Sequence, residues 1–129
     1  MLTATNPFTG EKIDSFPCLT KNEMYARIGE ANAAFAEWSD RSFNERGEVL
    51  HAVAKQLRAE KHDLAQLMAL EMGKPIKEGI PEVEKAALCA EFYAENAERF
   101  LARDTIASDA SLSYVCYQPL GTLLGILPW

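Results

Sequence analysis

Several features that would assign a protein to a specialised class are missing from this 129-residue sequence. It contains no apolar run of about 18 residues, so it predicts no membrane span. Its first residues have neither the basic region nor the apolar core of a signal peptide. Basic residues do not cluster, and 13 of them against 19 acidic residues give a net charge of −6. We therefore expect neither a membrane partner nor a nucleic-acid partner.

Cysteine and histidine are also scarce, with three and two copies respectively. Cys18, Cys89 and Cys116 lie far apart, and no Cys-x-x-Cys or Cys-x-x-His spacing predicts a metal site. A sparse, odd set of thiols does not suggest a disulfide framework, so a cytoplasmic location is expected. Because His51 and His62 lie on polar helical stretches away from glycine-rich turns, catalytic cysteine–histidine chemistry is not expected. Cys89 and Cys116 are interpreted as small core residues.

The remaining composition is typical of a globular chain. Hydrophobic residues make up 48% and charged residues 25%, which excludes a disordered tail, a collagen-like repeat and a coiled-coil rod. A length of 129 residues fits one domain or a piece of a larger one.

Turn and capping signals predict a short strand followed by helices. An Asn-Pro-Phe-Thr-Gly turn at 6–10 precedes a strand at 11–16. Thr-x-x-Glu at 20–23 and Ser-x-x-Glu at 42–45 are capping boxes, which satisfy the free amides at the start of a helix. An apolar stripe at helical spacing follows each box, so we predict two helices.

Two further helices are expected after these. The third begins near Lys61 and ends at Gly73, where glycine supplies a left-handed cap. Residues 76–79 predict a single turn, with Pro81 at the first position of a fourth helix over 82–101. Its alanine-rich apolar face predicts a buried helix. Its acidic residues predict a solvated face: Glu78, Glu82, Glu84, Glu91, Glu95 and Glu98.

Asp109 is the last charged residue, so the segment 110–129 carries no charged side chain. Alternation over 112–118 predicts a strand, and the apolar run 121–127 predicts a strand covered on both faces in a parallel sheet. Such a strand needs neighbours for its backbone groups, and a parallel neighbour needs a long crossover. We therefore expect an amino-terminal fragment of a larger α/β protein. The alternative is a small helical domain whose final strand pairs with an earlier strand or with a partner chain.

Residue spacing alone predicts no complete active site. Gly121 and Gly125 do not form a dinucleotide-binding or phosphate-binding glycine motif. The carboxylates recur along helices, which is typical of a solvated face.

Several segments, in order, resemble the start of aldehyde dehydrogenases. Residues 6–11, NPFTGE, resemble the family's NPATGE turn, and 71–75, EMGKP, match its helix-ending E-x-G-K-P. Glu82-Val83 matches the following helix start. Residues 119–121, PLG, followed by 126–129, ILPW, match PLG…I-x-PW. Within the family, EMGKPI, the helix segment at 88–95 and PLGTLLGILPW most resemble bacterial succinate-semialdehyde dehydrogenases.

The resemblance implies an α/β fold: the N-terminal helical and first-strand portion of the aldehyde dehydrogenase fold, with an incomplete Rossmann-like cofactor domain. Residues 1–111 would form the turn, strand and four-helix part of that domain. Residues 112–118 would form a strand of the oligomerisation sheet, and 119–129 the truncated first strand of the parallel sheet. Complete relatives are dimers or tetramers, so a homo-oligomer is implied.

The implied activity is oxidation of an aldehyde to a carboxylic acid with NAD or NADP. The family's cysteine nucleophile, glutamate base and asparagine oxyanion donor have no counterparts in this chain, so no catalytic residue is assigned and the chain alone is predicted to be inactive. The resemblance assigns four cofactor-binding residues: Ile126, Leu127, Pro128 and Trp129. It suggests Lys85 as a long-range attractor for an acidic semialdehyde. No metal is implied.

Two alternatives from other classes remain open. One is a non-catalytic helical interaction module that docks its C-terminal strand onto a partner sheet. The other is a thiol hydrolase using Cys116, which would require a readily alkylated thiol near neutral pH.

Overall fold

The computed structural model describes residues 1–127, in which four helices follow one small hairpin and precede another. The elements are β1 Leu2–Thr5, β2 Lys12–Phe16, α1 Lys21–Asp40, α2 Phe43–Ala59, α3 Lys61–Met72, α4 Ile76–Phe100, β3 Asp104–Thr105 and β4 Tyr114–Val115. Each strand pair is antiparallel, β1 with β2 and β3 with β4. No helix within 1–127 has the length and apolar character needed to cross a membrane.

The first hairpin forms because its loop satisfies its own backbone. The Asn6 side chain accepts hydrogen bonds from the amides of Phe8 and Thr9 at 2.9 and 3.3 Å. Gly10 adopts a φ of +74°, a left-handed conformation that favours glycine, and its amide donates to the Asn6 carbonyl at 2.8 Å. The strand predicted at 11–16 is confirmed as β2, and its partner β1 was not predicted.

Both predicted capping boxes are present. The Thr20 amide donates to the Glu23 carboxylate at 2.7 Å, and the Glu23 amide donates back to the Thr20 hydroxyl at 3.3 Å. Ser42 and Glu45 repeat the arrangement at 2.8 and 3.2 Å. The amide and hydroxyl of each cap residue donate to the glutamate carboxylate, which stabilises its charged form and lowers the pKa of Glu23 and of Glu45.

The expected break between a short turn at 76–79 and a helix at 82 is wrong. Helix α4 is continuous from Ile76 to Phe100, with Pro81 inside it. So close to the helix start, the missing proline N–H removes one early hydrogen bond only. Two residues earlier, Gly79 lies close to α3: a Cβ built on it would be 3.0 Å from the Ala65 Cβ.

The core lies where α4 contacts α2 and α3, and it is built from small side chains. Its buried apolar residues are Ala54, Ala65, Val83 and Ala87. The helices also approach closely at Gly47, where an added Cβ would lie 3.2 Å from the Ala94 carbonyl oxygen. The prediction of a buried helix holds for the side of α4 that contacts α2 and α3, where Val83 and Ala87 are buried. It fails at Leu88, Phe92 and Tyr93, which are about half exposed.

The C-terminal strands are shorter than predicted. Within the expected strand 112–118, only Tyr114–Val115 pair, with Thr105 and Asp104. Residues 121–127 form no strand, although a buried parallel strand was predicted there. A strand needs a neighbour to receive its backbone hydrogen bonds, and no described strand lies beside this segment.

Candidate functional site

The segment 119–127 was predicted to contribute cofactor contacts, and here it is an exposed extended stretch. Ile126 and Leu127 are 86% and 80% exposed. Pro128 and Trp129, the other two predicted cofactor residues, lie outside the described residues. Gly121 has a φ of +112°, a conformation that favours glycine. The structure therefore describes two of the four predicted contact residues, and both of their side chains are exposed.

An open groove separates the start of this segment from α1. It has a volume of about 630 Å³ and is lined mainly by Ala31, Ala34, Phe35, Trp38, Gly121 and Thr122. At one edge Arg41 binds Glu37 at 2.8 Å, which raises the pKa of the guanidinium and keeps it charged. The groove thus offers an apolar wall, but its single cation is already paired.

These features do not form a nucleotide site on their own. A dinucleotide requires donors or cations for its phosphates, commonly a helix N-terminus after a glycine-rich turn. The described part of 119–127 supplies apolar side chains and backbone groups, with Thr122 as its one hydroxyl. At most, these residues could form one wall of a cofactor site whose phosphate contacts come from elsewhere.

A second surface, along α4, contains Lys85. Two shallow grooves of about 490 and 610 Å³ share Lys85 and Cys89. Glu91 and Glu95 line the first groove, so the surroundings of Lys85 are of mixed charge. The suggested role of Lys85 as an attractor for an acidic semialdehyde stays a prediction.

The main electrostatic cluster joins α2 to α4 and was missed by sequence reasoning. Arg58 donates two hydrogen bonds to the Glu91 carboxylate, the Nη2–Oε2 bond at 2.7 Å, and its Nε donates to Glu84 at 2.5 Å. Lys61 Nζ lies 3.9 Å from Glu84. Hydrogen bonding to Arg58 lowers the pKa of Glu91, and both carboxylates raise the pKa of Arg58.

This cluster contradicts the interpretation of the α4 carboxylates as a wholly solvated face. Glu84 and Glu91 are partly buried ion-pair partners of α2, and Glu82 pairs with Lys74 of the EMGKP segment. The pairs from Arg58 span 26 and 33 residues, a separation that helical periodicity does not detect. In the sequence, these pairs are signalled by Arg58 itself, the basic residue in the last turn of α2.

The thiols also differ from expectation. Cys18, Cys89 and Cys116 are free and exposed, so the interpretation of Cys89 and Cys116 as core residues is wrong. Cys89 lies outside the buried stripe of α4, which is formed by Gly79, Val83 and Ala87, and Cys116 follows the two-residue strand β4. In the described residues, no group of histidine, cysteine and acidic side chains is arranged to hold a metal ion.

Comparison with known proteins identifies the fold to which these helices and hairpins belong. The model of the aldehyde dehydrogenase family matches residues 1–129. The chain belongs to the aldehyde dehydrogenase family. The resemblance seen in the sequence motifs is thereby confirmed, as is the mixed α/β class.

The relatives of this aldehyde dehydrogenase chain include enzymes of the branch that its motifs suggested. A probable NADP(+)-dependent succinate-semialdehyde dehydrogenase of Synechocystis is 38% identical over 128 residues, covering 99% of this chain and 28% of that protein. The NADP(+)-dependent succinate-semialdehyde dehydrogenase 1 of Mycobacterium tuberculosis is 39% identical over 131 residues, covering 99% and 29%. The chain therefore spans under a third of the length of these curated relatives.

A solved structure agrees in three dimensions. The succinic semialdehyde dehydrogenase of Streptococcus pyogenes, in complex with NADP+, superposes with a TM-score of 0.83 at 28% identity. The superposition covers 88% of this chain and 25% of that one. The helices and hairpins of this aldehyde dehydrogenase chain therefore have the arrangement found in a larger enzyme.

Proposed function

We propose that this chain is the amino-terminal part of an NADP-dependent aldehyde dehydrogenase that oxidises succinate semialdehyde. The observation that carries the proposal is the match over 99% of the chain to relatives named for that substrate and cofactor. The exposed uncharged segment 119–127 supports it, because its side chains need cover that α1–α4 do not give.

In this proposal the chain supplies scaffold and one wall of the site. In the complete enzyme, Ile126, Leu127, Pro128 and Trp129 would contribute an apolar wall beside the cofactor, at the carboxyl edge of the sheet where nucleotides bind in open α/β folds. NADP, when bound in the complete enzyme, accepts the hydride. The residues of this chain position that wall, and those that carry out the chemistry lie elsewhere in the enzyme.

The remaining expectations belong to the whole protein. We propose a cytoplasmic location, in keeping with three free cysteines, and a dimer or tetramer in which residues 112–118 join a sheet between subunits. The exposed pair Tyr114–Val115 supplies the edge for such pairing. The division into 1–111, 112–118 and 119–129 is part of the same proposal.

A chimera tests the proposed function. The first 128 or so residues of the Synechocystis relative are replaced by this chain, along the stretch over which the two align. Because the two share 38% identity there, we expect the chimera to form NADPH from succinate semialdehyde, and this chain alone to form none above background.

The control is the relative lacking the same residues, which should be inactive. A folded chimera, shown by its circular dichroism and sedimentation, that forms no NADPH would contradict the proposed function. NADPH formation by the isolated chain would contradict the assignment of the chemistry to other residues. Activity of the control would show that this part of the enzyme is dispensable.

A further inference from the structure

The EMGKP segment at 71–75, which the sequence shows as the end of α3, also contacts the first hairpin. Gly73 has a φ of +75°, and a Cβ built on it would lie 3.3 Å from the Cγ atom of Pro7. Gly10 has almost the same φ, +74°, yet nothing lies within 4 Å of a Cβ built there. Gly73 is therefore constrained twice, by its left-handed backbone and by the ring of Pro7.

The turn that contains Gly73 is held by both of the helices that it connects. The Gly73 amide donates to the Ala69 carbonyl at 3.1 Å, which closes the end of α3. The Lys74 side chain, which is 23% exposed, forms an ion pair with Glu82 of α4. The turn therefore cannot move away from Pro7 without disturbing its contacts to α3 or α4.

The loop that contains Pro7 is also fixed. The Asn6 amide donates to the Glu11 carbonyl at 2.9 Å, and the Asn6 carbonyl accepts from the Gly10 amide at 2.8 Å. The proline ring fixes the φ of its own residue. A side chain at position 73 would therefore displace the whole loop, and with it β1 and β2, because no flexible group lies between them.

The hairpin itself has little to hold it in place. It consists of two strands, and the part of the chain that the structure describes buries no residue of β1 or β2. A hairpin of two strands is marginally stable in water unless it packs against another element. Its contact with the turn after α3 is a packing contact of this kind.

We propose that Pro7 and Gly73 form a clasp that fastens the N-terminal hairpin to the turn between α3 and α4. Gly73 supplies the space, and the ring of Pro7 fills it. The NPFTGE and EMGKP segments, which the sequence shows as a turn and a helix end, are then the two halves of one contact. The clasp concerns the placement of the hairpin, so it does not rest on the proposed function.

Hydrogen exchange in the complete enzyme tests the clasp, because the hairpin then has its full surroundings. The protein is the chimera with the Synechocystis relative, unmodified and with Gly73→Ala, Pro7→Ala or both. Mass spectrometry follows exchange in peptides that cover residues 2–16 and 65–72. Gly73→Ala should speed exchange of the β1 and β2 amides at least about threefold, because the added methyl group displaces the loop. Pro7→Ala should also speed it, because the ring is lost.

The double variant separates the clasp from a general weakening of the end of α3. With Pro7→Ala, the methyl group added by Gly73→Ala faces the space that the ring has left. Adding Gly73→Ala to Pro7→Ala should therefore change hairpin exchange by less than about 1.5-fold. Exchange at 65–72 should rise equally with and without Pro7→Ala, because the left-handed strain of an alanine does not involve the proline ring.

Gly73→Asn is the matched control for backbone strain. It adds the same Cβ, but asparagine tolerates the left-handed conformation better than alanine does. It should match Gly73→Ala in residues 2–16 and disturb residues 65–72 less.

Three results would overturn the proposal. They are unchanged hairpin exchange in Gly73→Ala, an equal increase with and without Pro7→Ala, and a hairpin effect of Gly73→Asn far smaller than that of Gly73→Ala. None of these readouts involves NADPH formation, so the clasp and the proposed function fail independently.

Discussion

Arg58 joins α2 to α4 through two ion pairs. It holds two carboxylates of α4 that lie seven residues apart, and its side chain and those of both partners are about one-third exposed. Ion pairs of this exposure are less screened than surface pairs, so the charges are coupled to folding. Arg27 and Glu30, which are 72% and 64% exposed, provide the surface comparison.

We predict that Arg58→Met lowers the urea midpoint of unfolding more than Arg27→Met does. The pH dependence has a definite sign. Because Arg58 lowers the pKa of Glu91 below its unfolded value of about 4.3, the stabilisation is complete above that pH and is lost as the pH falls through the folded pKa. The difference in urea midpoint between the unmodified chain and Arg58→Met should therefore be largest near neutral pH and should decrease in acid. A difference in urea midpoint that does not change with pH would contradict a stabilising role for the Arg58–Glu91 pair.

Ser42 has a separate role at the start of α2. Its hydroxyl accepts from the Glu45 amide at 3.2 Å, which satisfies a donor that the helix leaves free. We predict that Ser42→Ala costs about 1 kcal/mol in the free energy of unfolding, measured by urea titration. Ser39→Ala, which removes an exposed hydroxyl bonded only to the Ala36 carbonyl, is the control and should change stability far less.

Local signals of this kind were readable from the sequence. The capping boxes, the turn after Asn6 and the left-handed Gly73 cap were all predicted, because each depends on residues within a few positions of one another. The ion pairs of Arg58 and the exposure of Cys89 were not predicted, because both depend on which side of α4 contacts α2. The two described cofactor candidates, Ile126 and Leu127, came from motif resemblance rather than from any local signal.

At the scale of elements, glycine decides how closely the helices approach. At Gly79 a methyl group would lie 3.0 Å from the Ala65 Cβ and 3.2 Å from its Cα, so backbone would have to move. At Gly29, in the middle of α1, no atom lies within 4 Å of the same position. The same substitution should therefore have opposite effects in the two helices.

We predict that Gly79→Ala destabilises the chain by about 1–3 kcal/mol through overpacking against α3. Gly29→Ala should stabilise its helix by about 0.5–1 kcal/mol, because alanine loses less backbone entropy than glycine there. Thermal unfolding followed by far-ultraviolet circular dichroism checks both. If Gly79→Ala were neutral or stabilising, the α3–α4 contact would be looser than the structure has it.

The extent of each element was harder to predict than its existence. Pro81 was expected to start a helix, yet α4 begins at Ile76, five residues earlier. The strands at 112–118 and 121–127 were expected from alternation and apolarity. Those patterns favour a strand when neighbouring strands are available to pair with it. Pairing partners for most of these residues are not present among residues 1–127.

At the scale of the molecule, the chain combines a small core with a large apolar surface. Among residues 1–127, the buried apolar residues are three alanines and one valine, while the four leucines and the isoleucine of 120–127 are 76–91% exposed. This distribution is unusual for a self-contained domain, in which large side chains make up the interior. It agrees with a chain that spans 28% of a curated relative and matches the family over its whole length.

The central claim is that the uncharged segment is a sheet strand whose neighbours belong to the larger enzyme. Amide hydrogen exchange over residues 121–127 tests it most directly, compared between the isolated chain and the chimera with the Synechocystis relative. The account predicts fast exchange in the isolated chain and exchange slowed at least about a hundredfold in the chimera, because buried strand amides exchange only through opening. Protection in the isolated chain, or fast exchange in an active chimera, would contradict it.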